Sequence, residues 1–235
     1  MRLLLVADVH ANAPALLSLQ RAEPQPDAVL FAGDAVGYGP DPAYCAAWLV
    51  ANATASVRGN HDQALAAGEP SHSPPELEDA AAETLAYARR MVAPGDVAAL
   101  GRWPLSATLE RGGARFYVTH GTPANPLTGQ LDPATAREAD LHLLFDDVAA
   151  DVILLGHTHQ PALRRFGDKL IINPGSLGQP RYGVPDATYA VWEDGRVQIR
   201  HLHYDHDATA QRLALAPLSP EVSEQLTAIL ETGLA

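Results

Sequence analysis

Five short polar motifs, each beginning where an apolar run stops, constrain this chain more than anything else in it. They are Asp8-Val9-His10, Gly33-Asp34, Gly59-Asn60-His61-Asp62, His120-Gly121 and Gly156-His157-Thr158-His159. Apolar segments at residues 3–7, 28–32, 116–119 and 152–155 precede four of them, and Val57 precedes the Gly59 motif. Such runs read as strands buried on both faces. In open α/β sheets, sites form at the carboxyl ends of strands, so five strand ends can converge on one rim. The glycines at 33, 59, 121 and 156 are expected to allow tight turns beside the polar residues.

The segments between these runs alternate in character. Asn12 before Ala13-Pro14 reads as a helix N-cap with proline in the first turn, and the helix should run to about residue 21. Asp41-Pro42 opens a second helix to about residue 50, and residues 56–57 give a third short strand. Residues 64–104 read as a helical excursion. Within it Ser73-Pro74-Pro75-Glu76 matches a capping box for a helix ending near Met91, with a helical turn at 96–100. The second half holds three hairpin signals, at Gly112-Gly113, Gly167-Asp168 and Asp194-Gly195. Asp132-Pro133 opens helical sequence to about residue 149, and Ser219-Pro220 opens a last helix. With no repeat or linker, the expectation is one mixed α/β domain over 1–235, two packed sheets with helices outside.

Charge and composition narrow the function. A net charge of -12 over 235 residues argues against sequence-independent nucleic-acid binding, which needs clustered Lys and Arg. It is compatible with a small phosphorylated substrate, because bound cations reverse the local field. Cys45 is the single cysteine, so no intrachain disulfide forms and a reducing compartment fits. The first apolar run is cut by Asp8 too early for a signal-peptide core. No stretch reaches the roughly 20 apolar residues of a membrane span, and a cytoplasmic protein is expected.

Taken singly, each motif could be a solvated turn or a structural histidine. Five in order supply carboxylate, imidazole and amide donors enough for two metal ions sharing one carboxylate, an arrangement suited to phosphate-ester hydrolysis. His72, His142, His201, His203 and His206 lack this context and receive no role.

The content and order of the motifs, over residues 1 to about 180, resemble the calcineurin-like metallophosphoesterase superfamily. The phrases Gly33-Asp34-Ala35-Val36-Gly37-Tyr38-Gly39-Pro40 and Asn173-Pro174-Gly175-Ser176 are similar to its small bacterial and archaeal phosphodiesterase-like branch. The resemblance implies a four-layer α-β-β-α sandwich of two mixed sheets. It implies a first metal held by Asp8, His10, Asp34 and His159, and a second held by Asp34, Asn60, His120 and His157, with Asp34 bridging. His61 would be the proton donor, and Asp62 would orient His61 or a neighbouring ligand. Nitrogen and oxygen donors suit two divalent metal ions, Mn²⁺ first, with Fe, Ni²⁺ or Zn²⁺ as alternatives. The reaction implied is in-line attack by metal-bound hydroxide on a small phosphodiester or phosphomonoester. Asn60, Tyr38, Arg58 and Arg181 are candidate substrate contacts, and residues 173–176 are expected to support the site. Dinucleoside polyphosphate hydrolysis and protein phosphatase-like activity are alternatives. A metal-binding interaction scaffold, as for a relative in the retromer coat, is the alternative of another class. A nuclease is disfavoured by the acidic balance. Partners reduce to a small phosphorylated substrate, with homo-oligomerisation left open.

Overall fold

The apolar runs become the inner strands of two five-stranded sheets in a computed structural model describing residues 1–235. The first sheet runs β10 (Arg196–Leu202), β9 (Ala187–Glu193), β1 (Arg2–Val6), β2 (Ala28–Phe31), β3 (Ala55–Ser56). β1 is parallel to β2, with Leu3 opposite Ala28 and Val6 opposite Phe31, and antiparallel to β9. The second runs β4 (Ser106–Arg111), β5 (Ala114–Thr119), β6 (Val152–Leu154), β8 (Lys169–Pro174), β7 (Pro161–Phe166). Its centre, β5-β6-β8, is parallel and its edges are antiparallel.

Alternation along the inner strands divides their side chains between two cores. Leu3, Leu5, Leu30 and Ala32 meet Phe116, Val118, Leu154 and Ile172 between the sheets. Leu4, Val6, Val29 and Phe31 point the other way, into a helical layer. That layer comprises α1 (Ala13–Ala22), α2 (Pro42–Asn52), α3 (Asn60–Ala67), α4 (Glu78–Met91) and α5 (Pro94–Arg102). The outer face of the second sheet is covered by one short helix, α6 (Glu138–Phe145), which seats Leu141 and Phe145 on Ile153 and Ile171. Two C-terminal helices, α7 (His206–Leu215) and α8 (Pro220–Thr232), pack with Leu77, Ala80 and Ala81 around Tyr38. The result is the four-layer arrangement, its second helical layer thin. No helix is long and apolar enough to cross a membrane.

Two caps form as read: the Asn12 side chain accepts from Ala15 N, and Ser219 accepts from Val222 N. Two do not. Ser73 caps nothing; a 3-10 turn at Pro75–Leu77 intervenes and α4 starts at Glu78. Asp132 closes a local turn on Ala134 N and the Thr135 hydroxyl, so the helix expected from Asp132 begins only at Glu138. That is the competition between side-chain and helical hydrogen bonding expected of aspartate. α3 starts inside the Gly59 motif and α7 starts after Asp205, which accepts from Ala208 N; neither helix was expected.

Candidate metal centre

The five motifs lie at the carboxyl ends of β1, β2, β3, β5 and β6, three from one sheet and two from the other. Backbone bonds tie these ends together. Asp8 N and His10 N donate to Gly33 O and Asp34 O, and Gly156 N donates to His120 O. Across the sandwich, Leu177 N and Gly178 N donate to Ala7 O and Asp8 O, and His157 N donates to the Asp8 carboxylate at 3.1 Å. One carboxylate therefore links the two sheets at the site.

The turns are made differently from the sequence expectation. Of the four glycines only Gly33 has positive φ; the polar residues themselves occupy the left-handed region, Asp8 at 53°, His10 at 44°, Asp34 at 63°, His157 at 70° and His159 at 58°. Non-glycine residues enter that region at a cost, and such strain concentrates at functional sites. Gly59 is needed for space. A Cβ there would overlap Asp34 Oδ1 and stand 2.6 Å from Asp34 N.

Side-chain acceptors converge in two groups. His10 Nε2 lies 2.9 Å from His159 Nε2, 3.8 Å from Asp8 Oδ1 and 3.7 Å from Asp34 Oδ2, and His159 Nε2 is 3.4 Å from Asp8 Oδ1. In the second group His120 Nε2 lies 3.0 Å from Asn60 Oδ1, 3.2 Å from His157 Nδ1 and 3.3 Å from Asp34 Oδ2. Asp34 divides its oxygens. Oδ1 accepts the His61 N–H at the start of α3, the place of the capping side chain that Gly59 lacks, while Oδ2 faces both groups. Three imidazoles give Nδ1 to a carbonyl: His10 to Val36, His120 to Ala32 and His159 to Gln179, at 3.0, 2.8 and 2.6 Å. A carbonyl only accepts, so Nδ1 carries a proton in each, and Nε2 is the nitrogen left to hold either a second proton or a cation. Asn60 Nδ2 donates to Ser71 O at 2.6 Å, which turns its oxygen inward. Lone pairs facing lone pairs in a buried site require protons or cations between them, and this hard nitrogen and oxygen donor set fits divalent cations.

The ionisation pattern follows. Burial opposes a charge on Asp34, but the imidazoles of His120, His61 and His10 more than offset it and hold its carboxyl well below the usual range. Burial likewise opposes a charge on His120, and the Asp34 and Asp8 carboxylates overcome it, raising His120 to about 9. Burial holds His10 and His159 well below 6.5 and, with His120 beside it, brings His157 down to about 3.

The remaining candidates fall into place unevenly. His61 is buried, and one of its ring nitrogens could join His10 and Asp34 around a cation. Unlike the three anchored imidazoles, however, its Nδ1 has no partner. Asp62 makes no bond to the His61 ring. Its carboxylate accepts the backbone N–H groups of Asp34, Ala35 and Gly59 at 2.9, 2.9 and 3.2 Å, so of the two groups it was expected to orient it holds the neighbouring ligand candidate, Asp34, and not the His61 ring. Arg58 donates through its guanidinium to Gly101 O at the end of α5, which ties the Gly59 motif to that helix. Arg181 stays at the site, clamped on Gln179 Oε1 and stacked 5.3 Å from the Tyr38 ring centroid. The Tyr38 ring packs against His10 and His61. Asn173 bonds Gly156 O and the Thr158 hydroxyl, and Ser176 Oγ bonds Asp8 O, so both brace the ligand turns. The serines at 71 and 73 were missed because the second mimicked a capping box. Gln179 carried no sequence signal.

A model of the calcineurin-like phosphoesterase superfamily domain matches residues 1–194. The chain belongs to that superfamily. This calcineurin-like protein is similar to a crystallised metallophosphoesterase from Sphaerobacter thermophilus, with TM-score 0.81, 28% identity, and coverage of 97% of this chain and 98% of that one. An uncharacterized protein of Methanocaldococcus jannaschii is 25% identical over 94% of this chain and 95% of its own length. A hypothetical protein from Pyrococcus horikoshii has the same fold, with TM-score 0.82, 22% identity and coverage of 100% and 99%. The superfamily binds divalent metals, and the acceptor groups above are the candidate ligands here.

Proposed function

We propose that this calcineurin-like protein is a dinuclear-metal-dependent phosphoesterase for small phosphodiesters or phosphomonoesters. One observation carries the reading: Asp34 Oδ2 lies within 3.7 Å of His10 and 3.3 Å of His120, between two groups of nitrogen and oxygen donors. Asp8, His10, Asp34 and His159 would hold one cation, and Asp34, Asn60, His120 and His157 the other. Two such cations acidify water and neutralise charge on phosphoryl oxygens. The protein supplies orientation and a proton. No backbone carbonyl fixes the His61 imidazole. Burial disfavours its charged form, a phosphate anion in the site favours it, and the ring then gives its proton to the leaving alkoxide. Arg181 stands where a guanidinium can grip a phosphoryl oxygen. A panel of mono-, di- and dinucleoside polyphosphate esters with Mn²⁺, Ni²⁺, Zn²⁺ and Mg²⁺ tests the reading alongside metal analysis. Hydrolysis of aryl esters with two ions bound per chain is expected. Two bound ions and no hydrolysis of any ester would instead favour a scaffold.

A further inference from the structure

The loop between α3 and α4 reaches the site at two points. The Ser71 carbonyl accepts from Asn60 Nδ2 at 2.6 Å. Two residues on, Ser73 Oγ accepts from the Tyr38 hydroxyl at 3.0 Å, lies 2.9 Å from Ser71 Oγ and stands 3.5 Å from His61 Nε2. His72 between them is held at φ 55°, a conformation costly for a residue with a Cβ. It lets both serines face inward.

His61 depends on this loop more than its neighbours do. His10, His120 and His159 are each fixed through Nδ1 by a backbone carbonyl. His61 Nδ1 has no partner, and Gly37 packs so closely against it that an added Cβ would overlap the ring. Ser73 Oγ is the polar group that faces the His61 ring, at Nε2. A separation of 3.5 Å is one at which catalytic hydrogen bonds commonly stand before substrate tightens them.

We propose that Ser73 is a positioning residue for His61. Its oxygen, held from two sides by Tyr38 and Ser71, anchors Nε2 and fixes the rotation of the ring, so that the proton reaches the leaving oxygen from one direction. Ser73 transfers no proton itself. The inference rests on the reading of His61 as proton donor.

The test uses full-length, Mn²⁺-loaded protein with Ser73→Ala, Ser73→Thr and Tyr38→Phe, assayed on nitrophenyl and phenyl phosphodiesters, with metal content measured in parallel. Loss of the whole general acid costs about a hundredfold or more, and misorientation a fraction of that. For Ser73→Ala we expect unchanged metal content, KM within about twofold, and kcat down about tenfold on the phenyl ester but less on the nitrophenyl ester, whose leaving group needs little protonation. Threonine should restore kcat. Tyr38→Phe, which keeps the serine and removes its donor, should show the same leaving-group pattern. An unchanged kcat on the phenyl ester in Ser73→Ala overturns the proposal. So does an equal loss on both esters that threonine does not restore, because that pattern belongs to a loop that folds badly. Wild-type protein inactive at full metal content would overturn the phosphoesterase reading instead.

Discussion

Replacing Gly59 with alanine separates space from backbone strain at the centre of the site. Gly59 has φ -87° and ψ 177°, which alanine adopts freely. The obstacle is steric: the new Cβ would overlap Asp34 Oδ1 and lie 2.6 Å from Asp34 N and 2.7 Å from Asp34 Cγ. Asp34 cannot simply swing aside, because its Oδ1 accepts from His61 N and its N–H donates to Asp62. Overpacking of this kind costs about 1–3 kcal/mol. Gly68→Ala is the opposite case, with φ 78° and open space around the site of the Cβ, so it costs about 1 kcal/mol through strain alone. The two variants can therefore melt alike, and metal response distinguishes them. A cation at about a hundredfold its Kd stabilises a fold by about 2.7 kcal/mol. If displacement of Asp34 weakens binding about a hundredfold, most of that stabilisation disappears. At about 2–4 °C per kcal/mol, Gly59→Ala should lose roughly 5–10 °C of the Mn²⁺-induced rise in Tm, read by thermal unfolding in EDTA and in Mn²⁺. Gly68→Ala should keep the full rise. A full rise in Gly59→Ala would refute the geometry assigned to Asp34.

Three further outcomes follow. Asp34→Asn should lose bound metal and esterase activity together; elemental analysis showing two ions retained would contradict a bridging role. His61→Gln should retain its metals and lose about a hundredfold or more in kcat on poor leaving groups, with less loss on nitrophenolate; equal loss on all esters would remove His61 as the acid. In metal-free protein His120 is raised from 6.5 to about 9, so its contribution to stability is complete below pH 6.5 and lost as pH rises through about 9. Metal must displace that proton, and calorimetry in buffers of different ionisation enthalpy at pH 7.5 should record a net release of about one proton per chain. Zero release would mean that His120 is already neutral.

The strands that end at the motifs and the three hairpins were legible because each follows from a local cause. A buried parallel strand must be apolar along its length, and a donor at its end interrupts that run abruptly. What was hidden depends on distant partners. Arg58 reads like a phosphate contact beside the Gly59 motif, yet the carbonyl that takes it belongs to Gly101, 43 residues away. Ser73 satisfies a capping pattern but is drawn off by Tyr38 and His61. α3 was missed because its cap is no side chain of its own: the Asp34 carboxylate, from another strand end, accepts the first-turn N–H.

The same dependence explains why donors and not glycines occupy the left-handed positions. With glycine at those bends the turn would be free of steric cost, but it would carry no ligand. Aspartate and histidine there cost roughly 1 kcal/mol each, yet they aim their side chains inward from the bend itself. The strain persists because the surrounding bonds over-determine it: Asp62 on the Asp34 N–H, Ser176 on Asp8 O, Gln179 O on the His159 ring. Those bracing residues bind no cation in this reading, so removing one should relax a turn and weaken metal binding while leaving every ligand in the chain. Asp62→Asn is the sharpest case, because the amide nitrogen meets a backbone donor where a carboxylate oxygen accepted one. It should lower metal affinity about 10- to 100-fold. A variant that binds Mn²⁺ as tightly as wild type would show that the Asp34 turn holds its conformation without it.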